Sequence, residues 1–356
     1  MMQAFKPPPQ HLTSLTSRHL DDFVAYVDKI GGPATSEFSN LAKSFKYSPE
    51  IKIDQSLDPF SKTYCDQMIQ LYREISARDL DQDTGEITTI DVEHHAVSAN
   101  PYASTDIGFI SKHARAVLTA TMMANLPSSA KVLDLGCGWG LSTEMLEFTG
   151  ARVTAVDINS DFIELVERRS KRRLSSTRII KSNFDSLDLD ETYDMALFYE
   201  CLHHAVRPWE TLKHISTFVA PNGRIVFAGE PINEFWWKNW GLRLDPLSLY
   251  CIRKFGWFES GWSTSFLRAM FDRMGWELQL VEGVGLDGGA IGFAHRRDTD
   301  GVRPLVSVPF VGNGALSSKV GTVASLLLPA QINRALRRLA RKVLSSCSSR
   351  LLKSGH

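Results

Sequence analysis

The chain has 356 residues, 43% hydrophobic and 22% charged, enough for one large domain or two small ones around a real core. Its 40 basic and 40 acidic residues cancel, which argues against a nucleic-acid binder held by a globally basic surface. The balance hides an asymmetry: no acid follows Asp300 and nine Lys or Arg do, so residues 1–300 carry a net −9 and the tail +9. The five scattered cysteines (Cys65, Cys137, Cys201, Cys251 and Cys347) include no CxxC pair. They give neither a disulfide framework nor structural zinc, and the expected location is the reducing cytoplasm. The N-terminus, MMQAFKPPPQHLTS, lacks a signal-peptide apolar run, and no uncharged apolar stretch is long enough to span a membrane.

Residues 1–20 are polar, with Pro7, Pro8 and Pro9 in a row, and are expected to begin in disorder. Within 21–100 one helical stripe stands out at 64–75, where Met68, Leu71, Tyr72 and Ile75 recur at spacings of three and four. Residues 78–100 are acidic and turn-rich. A further helix is predicted over 106–124, with Ile107, Ile110, Ala114, Val117, Leu118 and Met122 as its apolar stripe. From 131 the pattern alternates. Strands are predicted at 131–135, 152–157, 178–181, 194–199 and 224–228, and helices at 141–148, 161–172 and 208–218. Asn159 or Ser160 caps the second of these helices, Pro208 opens the third, and Pro221-Asn222-Gly223 forms a turn. Such alternation predicts an α/β, doubly wound parallel sheet with helices on both faces. Residues 299–330 read as a linker and 331–353 as a last helix.

The most informative segment is Val132-Leu133-Asp134-Leu135-Gly136-Cys137-Gly138-Trp139-Gly140. It begins as a strand and ends as a helix start. Its alternate glycines allow a sharp turn and a close backbone approach to a ligand, and the following helix N-terminus favours an anionic group. A second strand ends in Asp157, 21 residues after Gly136, where a carboxylate can accept both hydroxyls of a ribose. The spacing is GxGxG, whereas a nicotinamide site calls for GxGxxG.

This segment resembles motif I of the class I S-adenosylmethionine (SAM)-dependent methyltransferases, whose DxGxGxG pattern it matches at Asp134, Gly136, Gly138 and Gly140. Later landmarks follow in order: Asn183-Phe184-Asp185 after the third strand, Leu202-His203-His204 after the fourth, and Pro221-Asn222-Gly223 before the fifth, with Asn replacing the family's first Gly. The resemblance covers about residues 105–296 and implies a Rossmann-like sheet with SAM as cofactor. It implies that Gly136, Cys137, Gly138 and Gly140 line the methionine part and that Asp134 orients its amino group. Asp157 and Ile158 would hold the ribose, Asn183, Phe184 and Asp185 the adenine, and Glu200 would also contact the cofactor.

Ligands of open α/β sheets sit at the carboxyl ends of the strands. His203, His204 and Glu230 fall there and are the candidate general bases toward a hydroxyl acceptor. The two histidines equally suit a loop-bracing role, and His94-His95 reads as a surface pair. No residue pattern calls for a metal. Six of the eight Trp lie between 236 and 276, inside or beside an aromatic insert at 232–270 that suits either a lid over the acceptor or a packed helical unit.

The domain scheme is therefore an N-terminal helical cap (1–104), a catalytic domain (105–298) with the insert as lid, a linker (299–330) and a basic amphipathic tail (331–356). The tail's apolar and basic faces suit an anionic membrane surface, on the inner side of the cell membrane, or the acidic body of the protein itself. The cap, the "YECLHH" and "GEP" segments and the Trp-rich insert look like methyltransferases of surface-polysaccharide assembly. The expected acceptor is a hydroxyl of a glycan or glycolipid precursor. The alternatives are a small secondary metabolite, O- or N-methylated, and a non-catalytic membrane-associated scaffold.

Overall fold

The computed structural model describes residues 14–308. Residues 1–13 of the polar start, most of the expected linker and the basic tail helix lie outside the described residues. No described helix is long and apolar enough to cross a membrane.

The N-terminal region forms a small parallel pair, β1 (Ser14–Leu15) with β2 (Lys46–Tyr47), and helices α1 (Leu20–Lys29), α2 (Ser36–Ala42), α3 (Lys62–Ser76) and α4 (Val92–Val97). Helix α3 is the one foreseen from its stripe, and Met68, Leu71, Tyr72 and Ile75 are all buried. Helix α4 falls in the segment read as turns. There His94 is exposed as expected, whereas His95 is half-buried against Trp139, with ring centroids 4.5 Å apart.

Next come α5 (Ile107–Met123), β3 (Lys131–Leu135), α6 (Leu141–Phe148), β4 (Arg152–Asp157), α7 (Ser160–Arg172), β5 (Arg178–Lys181), β6 (Tyr193–Tyr199), α8 (Pro208–Ile215) and β7 (Val219–Ala228). The insert holds β8 (Trp240–Leu242), α9 (Pro246–Phe255) and β9 (Ser260–Trp262). The chain then continues through α10 (Thr264–Arg273), β10 (Trp276–Glu282) and β11 (Ala290–Arg296). The main sheet has seven strands in the order β10-β11-β7-β6-β3-β4-β5. The pairs β5–β4, β4–β3, β3–β6 and β6–β7 are parallel, and β11 runs antiparallel to both of its neighbours. This confirms the doubly wound α/β class. The last two strands were not foreseen: β11 slots between β7 and β10, so only the folded sheet reveals its partners.

Side chains alternate across the sheet as strand geometry requires. Val132, Met195, Leu197 and Val226 face a core shared with α5 and α6, whereas Leu133, Leu135, Ala196, Phe198, Ile225 and Phe227 face the opposite core. The predicted stripe of α5 is rotated. Ile107 and Met122 are 78% and 57% exposed, while His113, Ala116, Val117, Ala120 and Met123 face inward, because the small alanines let the helix lie close on the sheet. The Pro221-Asn222-Gly223 turn is a bulge inside β7, where pairing jumps from Tyr193–Val219 to Met195–Arg224.

The cap and the insert share one hydrophobic core with the second sheet face. The Tyr64 hydroxyl donates to the Trp240 carbonyl at 2.7 Å, the Tyr72 hydroxyl to that of Gly256 at 2.7 Å, and the Trp240 indole to that of Pro59 at 2.8 Å. Trp240, Phe258 and Trp262 are fully buried, so most of the insert's aromatic surface packs the interior, and the lid expectation is corrected to that extent. The expected linker begins as a docked strap. The Val306 amide donates to the Met123 carbonyl at 3.0 Å, and Leu305 and Val308 pack on the α5 core.

Candidate functional site

The strand order reverses between β3 and β6, and the crevice beyond their carboxyl ends is where an open α/β sheet binds ligands. A cavity of about 560 Å³ lies there. One wall is the glycine loop. Gly136 and Gly138 have φ of +63° and +49°, in the left-handed region that side chains disfavour. A Cβ on Gly136 would sit 2.6 Å from the Cys201 Cβ, whereas one on Gly138 would meet nothing closer than 4.0 Å. Gly136 is therefore needed for loop packing, and Gly138 leaves its backbone open to the cavity.

Asp134 and Asp157 divide the work of holding that loop. The Asp134 Oδ2 accepts from the hydroxyls of Ser142 at 2.9 Å and Thr143 at 2.6 Å, tying β3 to the first turn of α6. Its Oδ1 is buried without a partner, and burial pushes its carboxyl up to about 7. Asp134 braces the loop from behind rather than lining the cavity. Asp157 does line it. Its Oδ2 accepts from the Gly138 amide and its Oδ1 from the Asn159 amide, both at 2.8 Å. Each oxygen keeps a second lone pair for a ligand hydroxyl. Burial raises this carboxyl as well, against the opposing pull of the amide donors.

Cys137, Ile158, Asn183, Phe184, Asp185 and Glu200 also line the cavity. Asp185 accepts from the Thr211 hydroxyl at 2.7 Å, and the Asn183 amide donates to Asp83 of the cap at 2.7 Å. Gly140 lies outside the lining and starts α6 at φ +87°. Glu200 stands at φ +53° and reaches His113, whose Nδ1 is 3.2 Å from its Oε2 and 2.7 Å from the Tyr199 hydroxyl.

Of the three candidate bases, two reach the cavity. His203 and His204 form a 3-10 turn, Leu202–His204, just past β6, and both line the cavity. Glu230 does not. Its Oε1 accepts from the Cys201 and Leu202 amides at 3.0 Å, and its Oε2 from the His203 amide at 3.1 Å and the His203 Nδ1 at 2.8 Å. With four donors on a fully buried carboxylate, Glu230 has no oxygen left for a substrate and acts as a positioning residue. That corrects its place among the bases. Burial opposes the charged form of His203, but the carboxylates of Glu230 and Glu259 outweigh it and raise the imidazole's pKa. Burial and the neighbouring His203 push His204 well below the usual range.

The folded chain adds residues that no motif marked. Gln82 and Glu86 arrive from the cap, and Arg243, Trp257 and Glu259 from the insert, to complete the wall around the histidines. The Gln82 amide donates to the His204 carbonyl at 2.6 Å, and the Phe258 amide donates to Glu86 at 2.8 Å. Burial pushes Glu86 up to about 8 and raises Glu259. Tyr102, Phe109, Trp139 and Phe162 line the opposite side. Trp257 is the one Trp of the insert on the cavity lining. The cavity thus has a half built on the glycine loop and a polar half built on the histidines.

Residues 133–227 match the family model described as "Methyltransferase domain". The chain is 34% identical over 107 residues to the mitochondrial ubiquinone biosynthesis O-methyltransferase of Schizosaccharomyces pombe, covering 29% of this chain and 39% of that protein. It is 28% identical over 106 residues to the ubiquinone biosynthesis O-methyltransferase of Rickettsia conorii, covering 30% and 37%. The chain thus spans about two fifths of the length of these curated relatives. Among solved structures, the Burkholderia thailandensis 1,6-didemethyltoxoflavin-N1-methyltransferase aligns with TM-score 0.39 and 22% identity, over 53% of this chain and 80% of that one.

Proposed function

We propose, from the match of residues 133–227 to a methyltransferase-domain model, that the protein transfers a methyl group from SAM to a hydroxyl of a small-molecule acceptor. The observation that carries this reading is the glycine loop with Asp157. Gly138 leaves the backbone open, and the Asp157 carboxylate keeps free lone pairs at the end of β4. Those residues fit the cofactor. Asp157 would take the ribose hydroxyls, Asn183, Phe184 and Asp185 would flank the adenine, and the glycine loop would take the methionine part. When bound, SAM would supply an electrophilic sulfonium methyl for transfer to the acceptor oxygen, whose proton must be taken up by a neighbouring group.

The chain's own contribution is alignment and proton management. Glu230 fixes the loop that presents His203 and His204, and these histidines with Glu86 and Glu259 are the groups on that wall able to take the hydroxyl proton. A hydroxyl acceptor agrees with the O-methyltransferase names of the relatives. A glycan or glycolipid acceptor draws less support, because Trp257 is the one Trp of the insert on the cavity lining while Trp240, Phe258 and Trp262 are buried in the core.

Calorimetry with SAM on the wild type and on Asp157→Ala tests the proposal. Losing the carboxylate acceptor is expected to weaken SAM roughly ten- to a hundredfold. Unchanged affinity in the variant, or tighter binding of a nicotinamide dinucleotide by the wild type, would overturn it.

A further inference from the structure

In the polar half of the cavity two imidazole–carboxylate pairs face one another without bonding. The Nδ1–H of His203 donates to Glu230, since a carboxylate only accepts, so a neutral His203 turns an Nε2 lone pair into the cavity. That Nε2 lies 3.6 Å from the Oε2 of Glu259. The Nδ1 of His204 is buried without a hydrogen-bond partner and lies 3.6 Å from the Oε2 of Glu86. Both gaps are too long for hydrogen bonds. One donor atom each from His203, His204 and Glu259 falls within 4.8 Å of the others. Two ligands of a tetrahedral cation with bonds of ~2.1 Å stand ~3.4 Å apart, so the 3.6 Å from His203 to Glu259 is close to one edge of a coordination shell, and the remaining spread of up to 4.8 Å among the three donor atoms would close on binding.

The carboxylates nearest the two histidines are Glu230, Glu259 and Glu86, and Glu259 also lies 3.8 Å from the Arg243 guanidinium, which pairs with Asp245 at 3.0 Å. The bond from His203 to Glu230 has the form of the outer-shell contact that fixes the tautomer of a metal-ligating histidine.

We propose that His203, His204 and Glu259 bind a divalent transition cation, with Glu86 beside it and Glu230 orienting His203. Imidazole and carboxylate donors suit zinc or manganese. The site opens on the cavity, so the cation would hold the acceptor's hydroxyl oxygen and ease loss of its proton. This assigned role rests on the methyltransferase reading; the binding itself does not.

The test uses the full chain, stripped with a chelator and titrated calorimetrically with Zn²⁺ and with Mn²⁺. SAM binding is measured in parallel, and Co²⁺ absorption serves as a geometric readout. One equivalent should bind saturably, with the visible bands of Co²⁺ held by nitrogen and oxygen ligands. His204→Ala and Glu259→Gln should each weaken binding at least about tenfold while SAM binding and the melting transition persist. Absence of saturable binding of either metal, or equal binding by both variants and the wild type, would overturn the site. If SAM still binds in that case, the methyltransferase reading stands and only the metal is lost. A protein that binds the metal but not SAM would keep the metal site and lose the methyltransferase reading.

Discussion

Replacing Glu230 by Gln probes the joint that positions the two histidines. The carboxylate takes four donors, three main-chain amides and the His203 ring, in a buried setting. An amide keeps one acceptor oxygen and turns an NH₂ group toward the other two donors. Two charge-assisted bonds are lost, at about 1.5–3 kcal/mol each. The neutral amide is cheaper to bury than a carboxylate, which offsets part of that loss and leaves a net destabilisation of about 3 kcal/mol. Across the described residues, whose cap, sheet and insert share one core, the melting temperature should fall by roughly 5 °C. Urea denaturation and thermal melts of the wild type, Glu230→Gln and the exposed-site control Glu277→Gln would read this. A loss below about 1 kcal/mol for Glu230→Gln, or an equal loss in the control, would refute the argument that four donors converge on one carboxylate.

Asp134→Asn should change how stability depends on pH. The buried carboxyl is raised to about 7 in the folded chain from 3.8, so its stabilising contribution is complete below about pH 4 and is lost as pH rises through 7. In melts without cofactor the variant should therefore gain on the wild type between pH 5 and about pH 8, and a constant difference across that range would contradict the assignment. Gly136→Ala places a Cβ 2.6 Å from that of Cys201 at φ +63° and should cost at least about 1–2 kcal/mol from the backbone alone, along with SAM affinity. A variant as stable as the wild type in urea would show that the loop relaxes freely.

The sequence by itself determined the half of the site that local pattern encodes. Strands β3, β4 and β6, the cap at Asn159, the helix-opening Pro208, and the order of Asp134, the glycines and Asp157 are all set by residues a few positions apart. Periodicity and turn chemistry report such neighbours directly. That locality is why the glycine-loop side of the cavity was legible from the sequence. The alternating Trp276, Leu278 and Leu280 of β10 were also readable in principle, but the place of β11 between β10 and β7 was not, because pairing across a sheet depends on partners far away in the chain. The polar wall is the extreme case. Glu86 reaches it from the cap, His203 and His204 from the end of β6, and Arg243 and Glu259 from the insert. No spacing links those segments. Only packing of the cap and insert onto one sheet face, through contacts such as Tyr64 to Trp240 and Tyr72 to Gly256, brings their charges together. Tertiary structure likewise decided that Glu230 points away from the cavity and that the Trp-rich insert is mostly interior, since the face a side chain takes depends on what the rest of the chain lays against it.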